Sequence, residues 1–150
     1  TDSQMAKEYT LTLIEDGCDV IMFNMDESVY GVLEAINQAK ADGKSFYVIP
    51  SIYDQNSMFP DTAIMSGITD VPKSMVDIFS KVVDNTWEAK FYPYGAATGC
   101  VYYVPNDALW SNMPAEGKTA LEDMLAKLTS GEIDAYEFMD TYCPADLRLN

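Results

Sequence analysis

Short, mainly apolar runs recur along the chain, at 20–23, 46–49, 63–66 and 99–104. A strand that is covered on both faces needs no polar side, so such runs are typical of parallel sheets. Segments with helical spacing separate most of the runs, and strands that alternate with helices form right-handed βαβ units. The sequence therefore predicts an α/β fold, a three-layer sandwich with a mainly parallel sheet.

Four helices are predicted around these strands. The first begins at Asp2 or Ser3 and ends at Gly17, and the second begins after Ser28 and ends at Gly43. Pro72 suits the first position of the third, and the fourth ends at Gly131. A shorter helical stretch is predicted near 135–141. The apolar residues predicted to line the core-facing sides are Tyr9, Leu13 and Ile14, then Val29, Val32, Leu33 and Ile36, then Val76, Phe79 and Val83, and finally Leu121, Met124, Leu125 and Leu128.

The first predicted element is a helix with no strand before it, which is unusual for a βαβ arrangement. The 150 residues fit one domain, so we predict a single α/β lobe over 1–150 whose first strand is missing. The chain opens with Thr1 rather than Met, and we expect that residue 1 is not where the gene begins.

The composition excludes several classes of function. With 24 acidic against 9 basic residues, the net charge of −15 argues against binding to nucleic acid. Histidine is absent, which removes the Ser-His-Asp triad, the Cys-His pair and the imidazole metal site. The three cysteines, Cys18, Cys100 and Cys143, are far apart and are predicted to be small buried hydrophobes. We therefore predict no catalytic turnover and no cofactor.

Polar loops follow three of the predicted strands, at 24–27, 50–55 and 67–70. In open parallel sheets, ligands bind beyond the carboxyl ends of the strands, and these ends share one edge. The sequence therefore predicts a solute site at this edge. The candidate ligand-binding residues are Asn24, Asp26, Tyr53, Asp54 and Thr69.

Several short segments resemble the BMP (basic membrane protein) family, the solute-binding lipoproteins of ABC transporters typified by purine-nucleoside receptors. In order along the chain they are Lys7-Glu8, Asp16-Gly17-Cys18-Asp19-Val20-Ile21, Gly31-Val32-Leu33-Glu34-Ala35, Asp54-Gln55, Ile64-Met65-Ser66, Tyr94-Gly95, Gly99-Cys100-Val101 and Leu128-Thr129-Ser130-Gly131-Glu132-Ile133. The chain departs from the family pattern in one loop, where Met25-Asp26-Glu27-Ser28 replaces the family's Gly-Gly-Thr, and at two single positions. Ile52 stands where the family has a ribose-binding Asp, and Thr69 stands where it has a Lys.

The resemblance implies the second lobe of a two-lobe, type I periplasmic-binding fold. It implies a nucleoside or a related small polar solute as ligand, the missing first lobe of the same receptor as a partner, and an ABC-transporter permease as another. It also implies an extracytoplasmic location, in the periplasm or at the cell surface, with a parent protein that is lipid-anchored to the membrane.

Other interpretations of the same residues stay open. Asp26, Glu27, Asp54 and Asp70 are candidates for a hard-cation or polyol site, or they are solvated loop acids and helix caps. A free-standing flavodoxin-like receiver domain would use Asp26-Glu27 and Asp54, although no Lys follows the fourth strand. A metal-dependent hydrolase would use the same acids. Trp110 is predicted to be an exposed anchor for a hinge or for the missing lobe.

Overall fold

The computed structural model describes residues 2–135 and shows the predicted alternation of strands and helices. Two short 3₁₀ turns, Ala96–Thr98 and Trp110–Asn112, accompany the regular elements. Residues 136–141 of the helical stretch predicted near 135–141, and Cys143, lie outside the described residues. The elements in chain order are α1 (Ser3–Glu15), β1 (Val20–Phe23), α2 (Val29–Ala41), β2 (Tyr47–Pro50), β3 (Met65–Thr69), α3 (Val71–Val83), β4 (Val101–Pro105) and α4 (Ala115–Ser130).

The chain divides into two compact units. Unit 1 comprises Thr1–Asp70 and Tyr103–Met113, and unit 2 comprises Val71–Tyr102 and Pro114–Asn150. The predicted extent of a single lobe, 1–150, stays a prediction. No helix within the described part of the chain has both the length and the apolar character needed to span a membrane.

The strands of unit 1 pair as the apolar runs predict. β1 and β2 are parallel, with Ile21 opposite Val48 and Phe23 opposite Pro50. A parallel bridge joins Val48 to Ala63, just before β3, and β3 pairs in turn with β4. The predicted α/β fold with parallel pairing is confirmed.

The core of unit 1 lies between one face of this sheet and α1 and α2. Ile21 and Phe23 point into it from β1, and the Phe23 ring meets the edge of the buried Phe59 ring at a centroid distance of 5.6 Å. The other face of β1 is open, because Val20 and Met22 are 48% and 69% exposed. The expectation that this strand is covered on both faces is therefore wrong: no helix among the described residues of unit 1 lies over that side.

Helices α1 and α2 approach each other closely at Gly31. A Cβ atom at this position would collide with the carbonyl oxygen of Ser3, so the contact requires glycine. Accordingly α1 buries the small residues Ala6 and Thr10, together with Ile14. The predicted core positions Tyr9 and Leu13 are exposed instead, because the close approach leaves no room for larger side chains on the buried face.

The turn at 106–110, which ends at Trp110, belongs to unit 1. The buried Asn106 donates from Nδ2 to the carbonyl oxygens of Pro60 and Ala63, at 3.1 and 2.8 Å. The turn that follows brings Trp110 onto the Tyr103 ring, with centroids 5.8 Å apart and an angle of 26° between the planes. Trp110 is half-buried, so the expectation of an exposed anchor is wrong.

Unit 2 is built differently, because among its described residues only Cys100 is buried. Helix α4 packs near the 96–98 turn and ends, as predicted, at Gly131, whose φ is +76°. Helix α3 buries no residue, and the predicted core positions Val76 and Phe79 are about two-thirds exposed at 64% and 66%. The thiol Cys100 is buried as predicted, while Cys18 of unit 1 is half-buried.

Candidate functional site

The loops after β1 and β2 begin side by side. The carbonyl oxygen of Phe23, the last residue of β1, accepts hydrogen bonds from Ser51 N at 3.0 Å and from Ser51 Oγ at 3.1 Å. Because Ser51 immediately follows β2, these bonds hold the two strand ends together. Asn24 and Tyr53 therefore leave adjacent strands at the same edge of the sheet, as the parallel topology predicts.

The end of β3 is tied to the same loop through Ile52. The carbonyl oxygen of Ile52 accepts a hydrogen bond from Thr69 N at 2.9 Å. Ile52 has a φ of +91°, a backbone conformation that is an outlier for a β-branched residue. Such conformations cost on the order of 1–3 kcal/mol and concentrate at ligand sites and switch regions. The strained residue thus lies at the strand-end edge where the solute site is predicted.

A buried polar network anchors the rest of the β2–β3 loop. Gln55, 1% exposed, donates from Nε2 to the Ser51 carbonyl at 2.9 Å and from its backbone N to Ser66 Oγ at 3.0 Å. Ser66 Oγ donates to Asn56 Oδ1 at 2.9 Å, and Asn56 Nδ2 donates to the carbonyls of residues 104–105 at 3.2 Å. Sequence reasoning missed this network. The adjacency of amide side chains to the predicted site was its only signal.

The five candidate residues lie on this scaffold and are all exposed. Asn24 and Asp26 follow β1, Tyr53 and Asp54 follow Ile52, and Thr69 is the last residue of β3 rather than the residue after it. Asp54 Oδ1 accepts from Asn56 N at 3.0 Å, which fixes that carboxylate in a local turn. The structure brings the three loops to one edge, and the binding role of the five side chains stays a prediction.

The acidic side chains at this edge do not form a metal centre in the described structure. Within residues 2–135, no group of three or more Cys, Asp or Glu side chains is arranged to hold a metal ion. The interpretation of Asp26, Glu27, Asp54 and Asp70 as a hard-cation site, which needs several oxygen ligands around one ion, therefore gains no support from the geometry.

One cavity lies next to the β1–α2 loop, which carries Asn24 and Asp26, and another belongs to unit 2. The first, of about 280 Å³, belongs to unit 1 and lies between the start of α1 and the β1–α2 loop, beside Met5, Tyr9 and Met25. The other, of about 470 Å³, belongs to unit 2 and is lined mainly by the 93–97 segment and by residues after α4. Neither is lined by any of the five candidates, which instead occupy an open edge.

In unit 2, a carboxylate of α3 is hydrogen-bonded to the 92–95 segment. Tyr94 Oη donates to Asp77 Oδ2 at 2.6 Å, and Lys81 Nζ lies 3.0 Å from the same oxygen. The hydrogen bond from Tyr94, followed by that from Lys81, lowers the pKa of Asp77 below its usual value. In return, the hydrogen bond to Asp77 and burial raise the pKa of Tyr94 to about 12. No candidate residue takes part.

Solved structures with similar folds include solute-binding proteins. An ABC transporter solute-binding protein from Aeropyrum pernix K1 superimposes with a TM-score of 0.75 at 18% identity, covering 89% of this chain and 44% of that one. A transcriptional activator of the comK gene from Bacillus halodurans gives a TM-score of 0.73 at 21% identity, covering 90% and 45%. At these identities the likeness shows the fold alone.

Sequence relatives point to the same group. Basic membrane protein A2 of Borrelia garinii is 27% identical over 135 residues, covering 88% of this chain and 38% of the relative. A purine-binding protein of Brucella abortus is 25% identical over 124 residues, covering 83% and 32%. The chain thus spans well under half the length of these relatives.

A family model described as "ABC transporter substrate-binding protein PnrA-like" matches residues 1–134, nearly the whole described chain. That match runs through β1, the β2–β3 loop and α4, the elements that carry the motifs noted in the sequence. The chain therefore belongs to the Bmp family of PnrA-like ABC-transporter substrate-binding proteins.

Proposed function

We propose that this chain contributes part of the solute site of a bacterial ABC importer, and that the solute is a nucleoside or a related small polar molecule. The observation that carries the proposal is the strand-end edge, where three loops are joined by hydrogen bonds from Ser51 to Phe23 and from Thr69 to Ile52. A loop edge held rigid in this way presents side chains in a fixed arrangement, which lowers the entropy lost on binding.

The five candidate residues have three kinds of role in the proposed site. The Tyr53 ring, 45% exposed, offers an apolar face on which a planar base stacks. Asp26 and Asp54 accept hydrogen bonds from hydroxyl or amine groups of the solute. Asn24 and Thr69 both donate and accept, which fixes the orientation of the solute.

The whole receptor is proposed to have two lobes that close on the solute, with the first lobe supplying the remaining contacts. A permease is the proposed partner for release, and an extracytoplasmic location with a lipid anchor on the parent protein is proposed with it. The relatives named as basic membrane proteins and as a purine-binding protein support this assignment. Membership in a substrate-binding family supports the proposed absence of turnover.

Isothermal titration calorimetry with purine and pyrimidine nucleosides and simple sugars tests the site. If one lobe supplies half of a micromolar affinity of about −8 kcal/mol, the 150-residue chain alone should bind near millimolar or not at all, because the cost of association is not halved. In the complete receptor, Tyr53→Ala should weaken binding about tenfold or more, as loss of a stacking face of about 1.4 kcal/mol implies.

Asp42→Asn is the matched control, because Asp42 is an exposed acid at the carboxyl end of α2 and outside the candidate loops. It should leave the affinity unchanged. Submicromolar binding by the 150-residue chain alone would refute the half-receptor proposal. Steady hydrolysis of a nucleoside or a phosphoester that is lost in Asp54→Asn would refute the non-enzymatic role.

A further inference from the structure

Helix α3 exposes a continuous apolar surface. Val76 and Phe79 are 64% and 66% exposed, and Val83 is 79% exposed. With Met75 and Val82, also exposed, they follow helical spacing and form one stripe, here termed the α3 apolar face. The face carries no charged residue in a chain with a net charge of −15. Interface cores are depleted of charge in the same way.

The opposite side of α3 makes the hydrogen bonds that join this helix to the rest of unit 2. Lys73 Nζ donates to the carbonyl oxygen of Thr98 at 2.7 Å, and Asp77 accepts from Tyr94 at 2.6 Å. At about 100° per residue, positions 73, 77 and 81 lie opposite the α3 apolar face. An amphipathic helix at the surface of a finished domain turns its apolar stripe inward. Here the orientation is reversed.

Unit 2 also has almost no apolar interior to which α3 contributes. Of its described residues, in 71–102 and 114–135, Cys100 is the only buried one. A helix of 13 residues is marginal in water unless its apolar face is packed. Domains cover such faces with a second layer of secondary structure. The polar contacts of α3 and its bare apolar face together indicate that this second layer comes from another part of the protein.

We infer that the α3 apolar face docks on the amino-terminal lobe of the receptor, which covers it with an apolar surface of its own. The inference rests on the proposed two-lobe receptor. The lengths of the relatives indicate what covers the α3 apolar face. This chain spans 38% of basic membrane protein A2 and 44% of the Aeropyrum solute-binding protein. More than half of each of these proteins therefore lies outside the matched part. A complementary lobe of that size is large enough to bury a 13-residue helix face.

Hydroxyl-radical footprinting of Met75 and Phe79 tests the inference directly. The 150-residue chain is compared with the product of the complete open reading frame that contains it. Labelling of both side chains should fall about fivefold or more in the longer product, because a docked interface core is excluded from water. Unchanged labelling overturns the inference. Protection that appears in the 150-residue chain and rises with its concentration assigns the face to a second copy, and overturns it too.

A pair of variants on the same helix provides the second arm. Phe79→Asp puts a charge on the α3 apolar face, whereas Ser80→Asp puts the same charge on the next residue, which is exposed and outside it. In the 150-residue chain neither should shift the melting temperature beyond about 2 °C, since both positions are exposed. In the longer product only Phe79→Asp should lower it, by about 5 °C or more. An equal effect of Phe79→Asp in both proteins, or none in either, overturns the inference.

Calorimetry on the same longer product separates this inference from the proposed function. Solute binding with Phe79 still labelled overturns the docking surface and leaves the function standing. Protection of Phe79 in a protein that binds no solute of the nucleoside and sugar panel overturns the function and leaves the docking surface standing.

Discussion

Replacing Gly31 with alanine tests the close contact between α1 and α2. The added methyl group would collide with the carbonyl oxygen of Ser3, a backbone atom that cannot rotate away. Overpacking of this kind costs about 1–3 kcal/mol, and a backbone obstacle favours the upper end of that range. Alanine returns about 1 kcal/mol through its higher helix propensity. We therefore expect a net loss of about 2 kcal/mol in the free energy of unfolding.

Urea denaturation followed by circular dichroism measures this loss, and thermal melting should show a fall of about 4–8 °C for a chain of this size. Asn37→Ala is the control, because Asn37 is an exposed position of the same helix and gains propensity without a collision. It should leave stability unchanged or slightly raised. A Gly31→Ala protein as stable as the parent would show that α1 shifts freely, and would refute the argument that packing at Gly31 sets which face of α1 is buried.

Three further outcomes follow from contacts within single units. Phe59→Ala should lower the free energy of unfolding by about 3–5 kcal/mol, because it removes a buried ring packed against Phe23; an m-value unchanged in urea confirms that stability alone has changed. Asn106→Ala should cost about 1–3 kcal/mol, since the buried carbonyl oxygen of Ala63 and the part-buried one of Pro60 lose their donor; a loss within error would show that water replaces the amide. In absorbance titration at alkaline pH, Tyr94→Phe should remove a component near pH 12, and Asp77→Asn should shift it to lower pH. The raised pKa of Tyr94 stabilises unit 2 below its unfolded pKa of about 10 and is lost as the pH rises through about 12; a titration identical in all three proteins contradicts the assignment.

The backbone pattern was largely predictable because it depends on local sequence. The apolar run at 20–23 became a strand, and Gly17, Gly43 and Gly131 take the positive φ angles that end helices. The capping residues at helix starts were predicted less reliably. The Asp2 side chain caps α1 by accepting from Met5 N at 3.0 Å, whereas Ser28 makes no such bond, since its backbone is already helical.

What the sequence could not predict depends on partners that are distant along the chain. The apolar spacing of α1 identifies Tyr9 and Leu13 as readily as Ala6, and only the fit against Gly31 decides which side is buried. The loop sequence around Trp110 is typical of an exposed anchor, and only the fold shows that this side chain stacks on the Tyr103 ring. The hydrogen-bond partners of the Gln55 and Asn56 side chains could not be predicted for the same reason.

In the β2–β3 loop, the residues that anchor the loop are different from the residues that it exposes. Gln55 and Asn56 turn inward, and the amide of Asn56 reaches carbonyls 48 and 49 residues further along the chain. Tyr53 and Asp54 turn outward on the same short segment. A substitution at 53 can thus change the exposed chemistry of the loop without breaking a hydrogen bond of this frame, whereas a substitution at 54 also removes the bond from Asn56 N to Asp54 Oδ1. In the proposed site, residue 53 is therefore the position at which specificity can diverge while the frame is kept. Because the Asn56 amide bonds to β4, the frame is complete only once β4 has joined the sheet, and we expect it to form late in folding.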